Sequence, residues 1–213
     1  FKVLKCTENS KNCQTNRYSS TGSGSSIFIH KHFNFVLTAG HICPEEIYSL
    51  PFIAEIKESR TTIIVQDYNN TFHDAEVVYF FEGDIQKGEP DLCLLHVPSL
   101  DVPKIKFSKV EPTAGDRVLS MSAPGGIYHP PTVPIFEGIY SGKINQVAAI
   151  ATVASKPGSS GGPILNSDRE IVGIIFAVSL YTENVTLITE YNKTKQFLKI
   201  ASDGFKEAER KAK

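Results

Sequence analysis

Three short segments of this sequence carry side chains that could do chemistry together. They are Thr38-Ala39-Gly40-His41, Asp91-Leu92-Cys93-Leu94-Leu95 and Gly158-Ser159-Ser160-Gly161-Gly162-Pro163. They supply a histidine, an aspartate and a serine, in that order. A serine hydroxyl is a poor nucleophile at neutral pH. It attacks a carbonyl efficiently only when an imidazole takes its proton and a carboxylate fixes the tautomer of that imidazole. The chemistry open to the set is acyl transfer, with Ser160 as nucleophile, His41 as base and Asp91 as orienter.

Each segment also has a plainer reading. His41 follows the apolar run Phe33-Asn34-Phe35-Val36-Leu37, which reads as a strand, and Ala39 and Gly40 let the chain turn tightly after it. A histidine that merely ends a strand fits as well. Asp91 stands directly ahead of four apolar residues. Alone it reads as a solvated strand end, because aspartate is almost never buried without a partner; a histidine partner reverses that preference. Gly158 and Ser160 could donate two backbone N–H groups to an oxyanion, and glycine at 158 permits the backbone conformation this needs. Gly161 and Gly162 leave room beside the nucleophile, and Pro163 suits the first residue of a strand, Ile164-Leu165. Alone, this segment is also an ordinary Gly/Ser turn. All three in one chain, each beside an apolar run, outweigh the plain readings.

The elements that must position them are strands. Gly22 to Ser26 reads as a loop entering a strand, Ile27-Phe28-Ile29. Ile53–Ile56, Thr61–Gln66 and Ala75–Phe81 alternate or run apolar with β-branched residues. Many short strands with Gly/Pro turns argue all-β. The tail differs: Phe197, Leu198, Ala201 and Phe205 recur at helical spacing, and Glu207 to Lys213 is helix-compatible.

With these segments in view, the chain resembles the trypsin/chymotrypsin-fold serine peptidases of clan PA, whose triad occurs in this order. In motif style it is closest to their HtrA-type branch, without a PDZ domain. The similarity includes Ala114-Gly115-Asp116-Arg117-Val118-Leu119 through Ala123-Pro124-Gly125-Gly126, then Phe136 to Gly142, Ile150 to Ile164, and Glu170 to Ile175. It covers roughly residues 18 to 200. It implies two six-stranded antiparallel β-barrels with the site between them and a C-terminal α-helix. The implied organisation is an N-terminal arm (1–17), a first barrel (18–98), a connector (99–109) stiffened by Pro98 and Pro103, a second barrel (110–187), and a helix and tail (188–213).

The departures carry information. Ser159 stands where secreted zymogens have an aspartate that pairs with a freshly cut N-terminus, so that mode of activation is not expected. Many relatives place a small polar residue after the Val-Gly-Ile strand to support the catalytic aspartate, whereas this chain has Phe176 and Ala177. Asp91 must then find donors among backbone N–H groups near Ala39 and His41. Cys43 and Cys93 each lie two residues from a triad position. The resemblance implies that they approach one another, as buried thiols or as a bridge, and both remain open. Cys6 and Cys13 could close a short loop.

The chain has 213 residues, enough to bury a sizeable core as one large domain or two lobes. At 41% hydrophobic and 21% charged it falls among ordinary globular proteins. A net charge of -1 gives no basic field for nucleic acid, and no apolar run reaches membrane-spanning length. The chain opens at Phe1 with no leader, as a processed or trimmed fragment would. Three Asn-x-Thr triplets start at Asn69, Asn184 and Asn192, but chance matches are expected in so asparagine-rich a chain. The compartment stays open, with the balance toward a secreted or extracytoplasmic one. No cofactor is implied. His30 and His32 read as one strand face, but two ligands make a weak site and no metal is assigned.

Carried over from the family, the primary specificity pocket has its base near Ala154-Ser155 and its wall near Ala177-Val178. None is charged, so a basic substrate side chain would be left unpaired there. A small or medium aliphatic residue before the scissile bond is expected, with the polypeptide pairing as an extended strand along the edge after Ile175. Two other readings compete. One is a catalytically weak or latent binding or structural module within a polyprotein or viral particle. The other is a protease that cleaves itself once. Natural substrate and oligomeric state are not legible.

Overall fold

The computed structural model describes residues 21–43, 62–84, 87–179, 182 and 184–211. The expected strand Ile53–Ile56, and Cys6 and Cys13, lie outside them. Among the described residues the first lobe is a half-barrel sheet made of β1 (Ser25–Ile27), β2 (Phe35–Thr38), β3 (Ile63–Gln66), β4 (Phe72–Glu82) and β5 (Asp91–His96), in the order β1-β2-β5-β4-β3. The second lobe is a closed barrel. Its strands are β6 (Arg117–Met121), β7 (Ile135–Lys143), β8 (Ala148–Ala151), β9 (Pro163–Leu165), β10 (Ile171–Val178) and β11 (Thr186–Thr189), in the order β10-β11-β8-β7-β6-β9. Every strand pair is antiparallel.

The unbroken apolar run of β5 follows from its burial on both faces. Alternate side chains of a strand point to opposite sides. Leu92 and Leu94 therefore enter a core shared with Leu165, Ile171 and Ile174 of the other lobe, while Cys93 and Leu95 pack behind with Val36, Cys43 and Val97. Inside the closed barrel, Ala151 sits opposite Tyr140 in register and leaves room for its ring.

The last element is α1 (Tyr191–Lys211), at the place the tail's periodicity predicts. Phe197 and Ala201 are buried, with Leu198 and Phe205 packed beside them. The Phe197 ring stacks on Tyr79 at 4.8 Å and Phe205 lies 4.7 Å from Phe35, so the helix closes over the first lobe's sheet. The fully buried Phe197 side chain contributes roughly 1.5–3 kcal/mol. The Glu190 carboxylate caps the helix by accepting the Lys193 N–H at 2.9 Å.

One local expectation is corrected. The first strand ends at Ile27, and His30 and His32 lie in the turn after it, not on a strand face. Since β1 pairs antiparallel with β2 from Ile27 and Phe35, the chain must reverse between them. Within that turn His32 N–H donates to His30 Nδ1 at 3.3 Å.

Candidate active site

The β2–β5 register puts Thr38 opposite Cys93. Continuing two residues past the strand end brings the 3-10 turn Gly40–Ile42 beside Asp91. Gly40 is required here by close approach: a Cβ at this position would meet Phe81 O, Asp91 Oδ1 at 2.7 Å and Leu92 N at 2.9 Å. Without that side chain, His41 and Asp91 come together in two places. The His41 backbone N–H donates to Asp91 Oδ1 at 2.7 Å, and His41 Nδ1 lies 2.7 Å from Asp91 Oδ2. The Asp91 side chain is 10% exposed and that of His41 41%, so the carboxylate lies behind an imidazole open to solvent. The His41 backbone N–H is thus one of the backbone donors that Asp91 was expected to need. A disulfide between Cys43 and Cys93, both fully buried, ties the same turn to the same strand.

The segment around Ser160 joins β8 to β9 and is fixed from several sides. Gly161 N–H donates to Ile175 O at 2.7 Å, and Ile175 N–H to Gly162 O at 2.9 Å, which ties the segment to β10. The Gly161 backbone lies against Thr38 Oγ1, with Ala39 N 3.0 Å from where a Cβ would stand. This places the residue after Ser160 against the residues just ahead of His41. The Ser160 hydroxyl has no hydrogen-bond partner among the described residues, the His41 ring included; catalytic pairs of this kind are often loose before substrate binds.

Gly158 has φ of +99°, and a Cβ there would stand 2.5 Å from Ala123 O. Only glycine fits this conformation and this space. Pro157 O accepts from Gly125 N–H at 2.7 Å. The peptide is planar and trans, so the Gly158 N–H points the opposite way. Neither that N–H nor the one of Ser160 has an acceptor among the described residues. Ser159 is fully buried. Its Oγ accepts from Ser122 Oγ at 3.2 Å and from Lys156 N–H at 3.3 Å, so the buried partner of this residue is a neutral hydroxyl.

Ser155 Oγ lies 2.5 Å from Thr186 Oγ1, which donates to Val153 O at 2.7 Å. Thr186 is the cross-strand partner of Val178. The residues near 154–155 and those near 177–178 are thus joined through β11, and Ala154, Ser155, Ala177 and Val178 are each partly exposed. Beyond Ile174, β10 has no β9 partner in register. Sequence reasoning missed Thr186, Ser122 and Ser23. Their hydroxyls all bond partners at least 30 positions away, and no local pattern marks them.

A family model described as a trypsin-like peptidase domain matches residues 22–174. A probable periplasmic serine endoprotease DegP-like from Marinomonas sp. is 32% identical over 167 residues, covering 76% of this chain and 30% of the relative. Its namesake from Pseudomonas fluorescens is 29% identical over 159 residues, covering 73% and 29%. The chain thus spans about 30% of the length of these curated relatives. Among solved structures, the serine endoprotease from Yersinia pestis matches with a TM-score of 0.61 at 19% identity, covering 92% of this chain and 59% of that one. The inactive form of the Rv3671c protease gives 0.61 at 17% identity, covering 83% and 82%. At those identities the structural likeness is one of fold. The family match spans most of the chain and takes in all three motif segments: the chain belongs to the trypsin-like peptidase family, as a serine protease domain.

Proposed function

We propose that this domain is an endopeptidase that works through an acyl-enzyme. Ser160 attacks the carbonyl carbon of the scissile peptide bond, and its proton passes to His41 Nε2. Asp91 holds the imidazole in the tautomer with its proton on Nδ1 and stabilises the imidazolium that forms. The Gly158 and Ser160 N–H groups receive the oxyanion. His41 then gives the proton to the departing amine, and water releases the acyl group by the same path. The observation that carries this reading is the pair of hydrogen bonds between His41 and Asp91, beside a loop with two N–H groups that have no acceptor among the described residues.

A fluorophosphonate probe tests it, because labelling needs an activated serine. Labelling at Ser160 that disappears in Ser160→Ala and His41→Ala supports the assignment. Labelling without peptide turnover would favour the latent-module reading, and an unlabelled protein would overturn the catalytic one.

For specificity we propose a small or medium aliphatic residue before the scissile bond, bound near Ala154, Ser155, Ala177 and Val178. Support comes from the absence of charge at these four positions and from the hydrogen bond between the Ser155 and Thr186 hydroxyls, which engages the polar group at the pocket base. The substrate is a polypeptide pairing as a strand along β10 beyond Ile175. A peptide library cleaved after arginine or lysine would overturn this.

An extracytoplasmic location is the better fit for the buried Cys43–Cys93 disulfide, since such bonds persist in oxidising compartments. The curated relatives are themselves named as periplasmic. Rapid alkylation of protein from its native source, finding free thiols at these positions, would count against it.

A further inference from the structure

We propose that the Ser23 hydroxyl is a positioning group that sets the direction of the Gly158 N–H. Ser23 lies just ahead of β1, in a Gly/Ser-rich run that reads only as a loop. Each of its polar groups is engaged. Its N–H donates to Ser160 O at 2.7 Å, and its carbonyl accepts from Thr38 Oγ1 at 2.7 Å. Its hydroxyl donates to Gly158 O at 2.8 Å and accepts from Ala123 N–H at 2.9 Å. The hydroxyl therefore bridges the turn that carries the nucleophile and the turn that supports it, from a third segment more than 90 positions away from either.

The consequence falls on Gly158. A glycine with positive φ has neighbouring conformations within easy reach, so its two flanking peptides must be held from outside. Gly125 N–H holds the peptide before it through Pro157 O; the peptide after it is held at Gly158 O by Ser23 Oγ and at Ser159 N–H by Lys156 O at 2.8 Å. With both fixed, the Gly158 N–H cannot swing away from where negative charge develops. Preorganisation of this kind stabilises a transition state and does little for the bound ground state.

Ser23→Ala keeps both backbone contacts of residue 23 and removes only the bridge. This inference rests on the catalytic reading above, and the experiment separates the two. Wild type, Ser23→Ala and Ser160→Ala are compared by fluorophosphonate labelling rate, by kcat and KM on a peptide from the library, and by inhibition with the matching peptide aldehyde, whose adduct carries an oxyanion. Ser23→Ala is expected to lower the labelling rate and kcat about 10-fold or more and to weaken the aldehyde in step, with KM within about twofold and melting within about 3 °C. Ser23→Ala that labels and turns over like wild type would overturn the positioning role alone. So would a change confined to KM. Wild type that fails to label at Ser160 would overturn the catalytic reading and this one with it.

Discussion

Asp91 grips His41 at two points, the backbone N–H with Oδ1 and the ring Nδ1 with Oδ2, each at 2.7 Å. The backbone group can only donate. In Asp91→Asn the single side-chain oxygen must therefore turn to that N–H, and the amide NH2 must face Nδ1. The ring then carries its proton on Nε2, where it cannot accept from Ser160. A fall in kcat of about 10⁴-fold is expected with the fold retained, read from steady-state kinetics and a thermal melt. A variant within tenfold of the parent would show that the carboxylate does not set the tautomer.

Gly158→Ala should be inactive for a backbone reason. The new methyl would meet Ala123 O, and φ of +99° is strained for any residue with a Cβ. The strain is about 1–3 kcal/mol, which rotation of the peptide relieves. Labelling at Ser160 should fall about 10²-fold or more while the circular dichroism spectrum stays that of the parent. Normal labelling would show that this amide is not required.

The Cys43–Cys93 bridge closes a loop spanning 50 positions, with both residues inside the first lobe's core. Replacing both by alanine should cost about 2–4 kcal/mol. It should also lower kcat, because the bridge ties the turn of His41 to the strand of Asp91. Urea unfolding with and without reductant reads the first effect. A loss below about 1 kcal/mol would mean that packing alone holds that turn.

Asp67 gives a pH signature away from the chemistry. Burial pushes its carboxyl up, but the N–H groups of Thr71 and Asn69 and the His73 ring prevail, and it is held below its ordinary value. A carboxyl depressed in the folded state contributes stability that is full above its unfolded pKa and is lost as pH falls through the folded one. The melting-temperature gap between the parent and Asp67→Asn should therefore be larger above about pH 5 than below about pH 4, where the carboxyl takes up its proton. Tyr128 O–H donates to Asp67 O at 2.6 Å, so this turn also reaches across to the second lobe. A gap that widens in acid would reverse the assignment.

What could be read in advance was what depends on neighbours in sequence. The apolar runs of β2 and β5, Pro163 opening β9, and the helical spacing of Phe197 and Ala201 are local patterns, and the mostly-β fold with its closing helix follows from them. The three motif segments were visible for the same reason. Hidden were features set by register and by contacts across the chain. The cysteine pairing could not be chosen before Thr38 was known to face Cys93. Gly40 reads as a turn residue, yet its need comes from Asp91 and Phe81 crowding it. Ser23 and Thr186 look like any loop or strand hydroxyl until their distant partners are in place.

The hydroxyl pair of Ser122 and Ser159 has one more implication. A charged chain end exists only after a cut, so a loop that needs one is silent until another enzyme acts. Here the buried partner comes from the same barrel, is uncharged, and is present as soon as folding finishes. The turn bearing Ser160 is thus propped from within by two hydroxyls, and that prop does not wait for a new chain end.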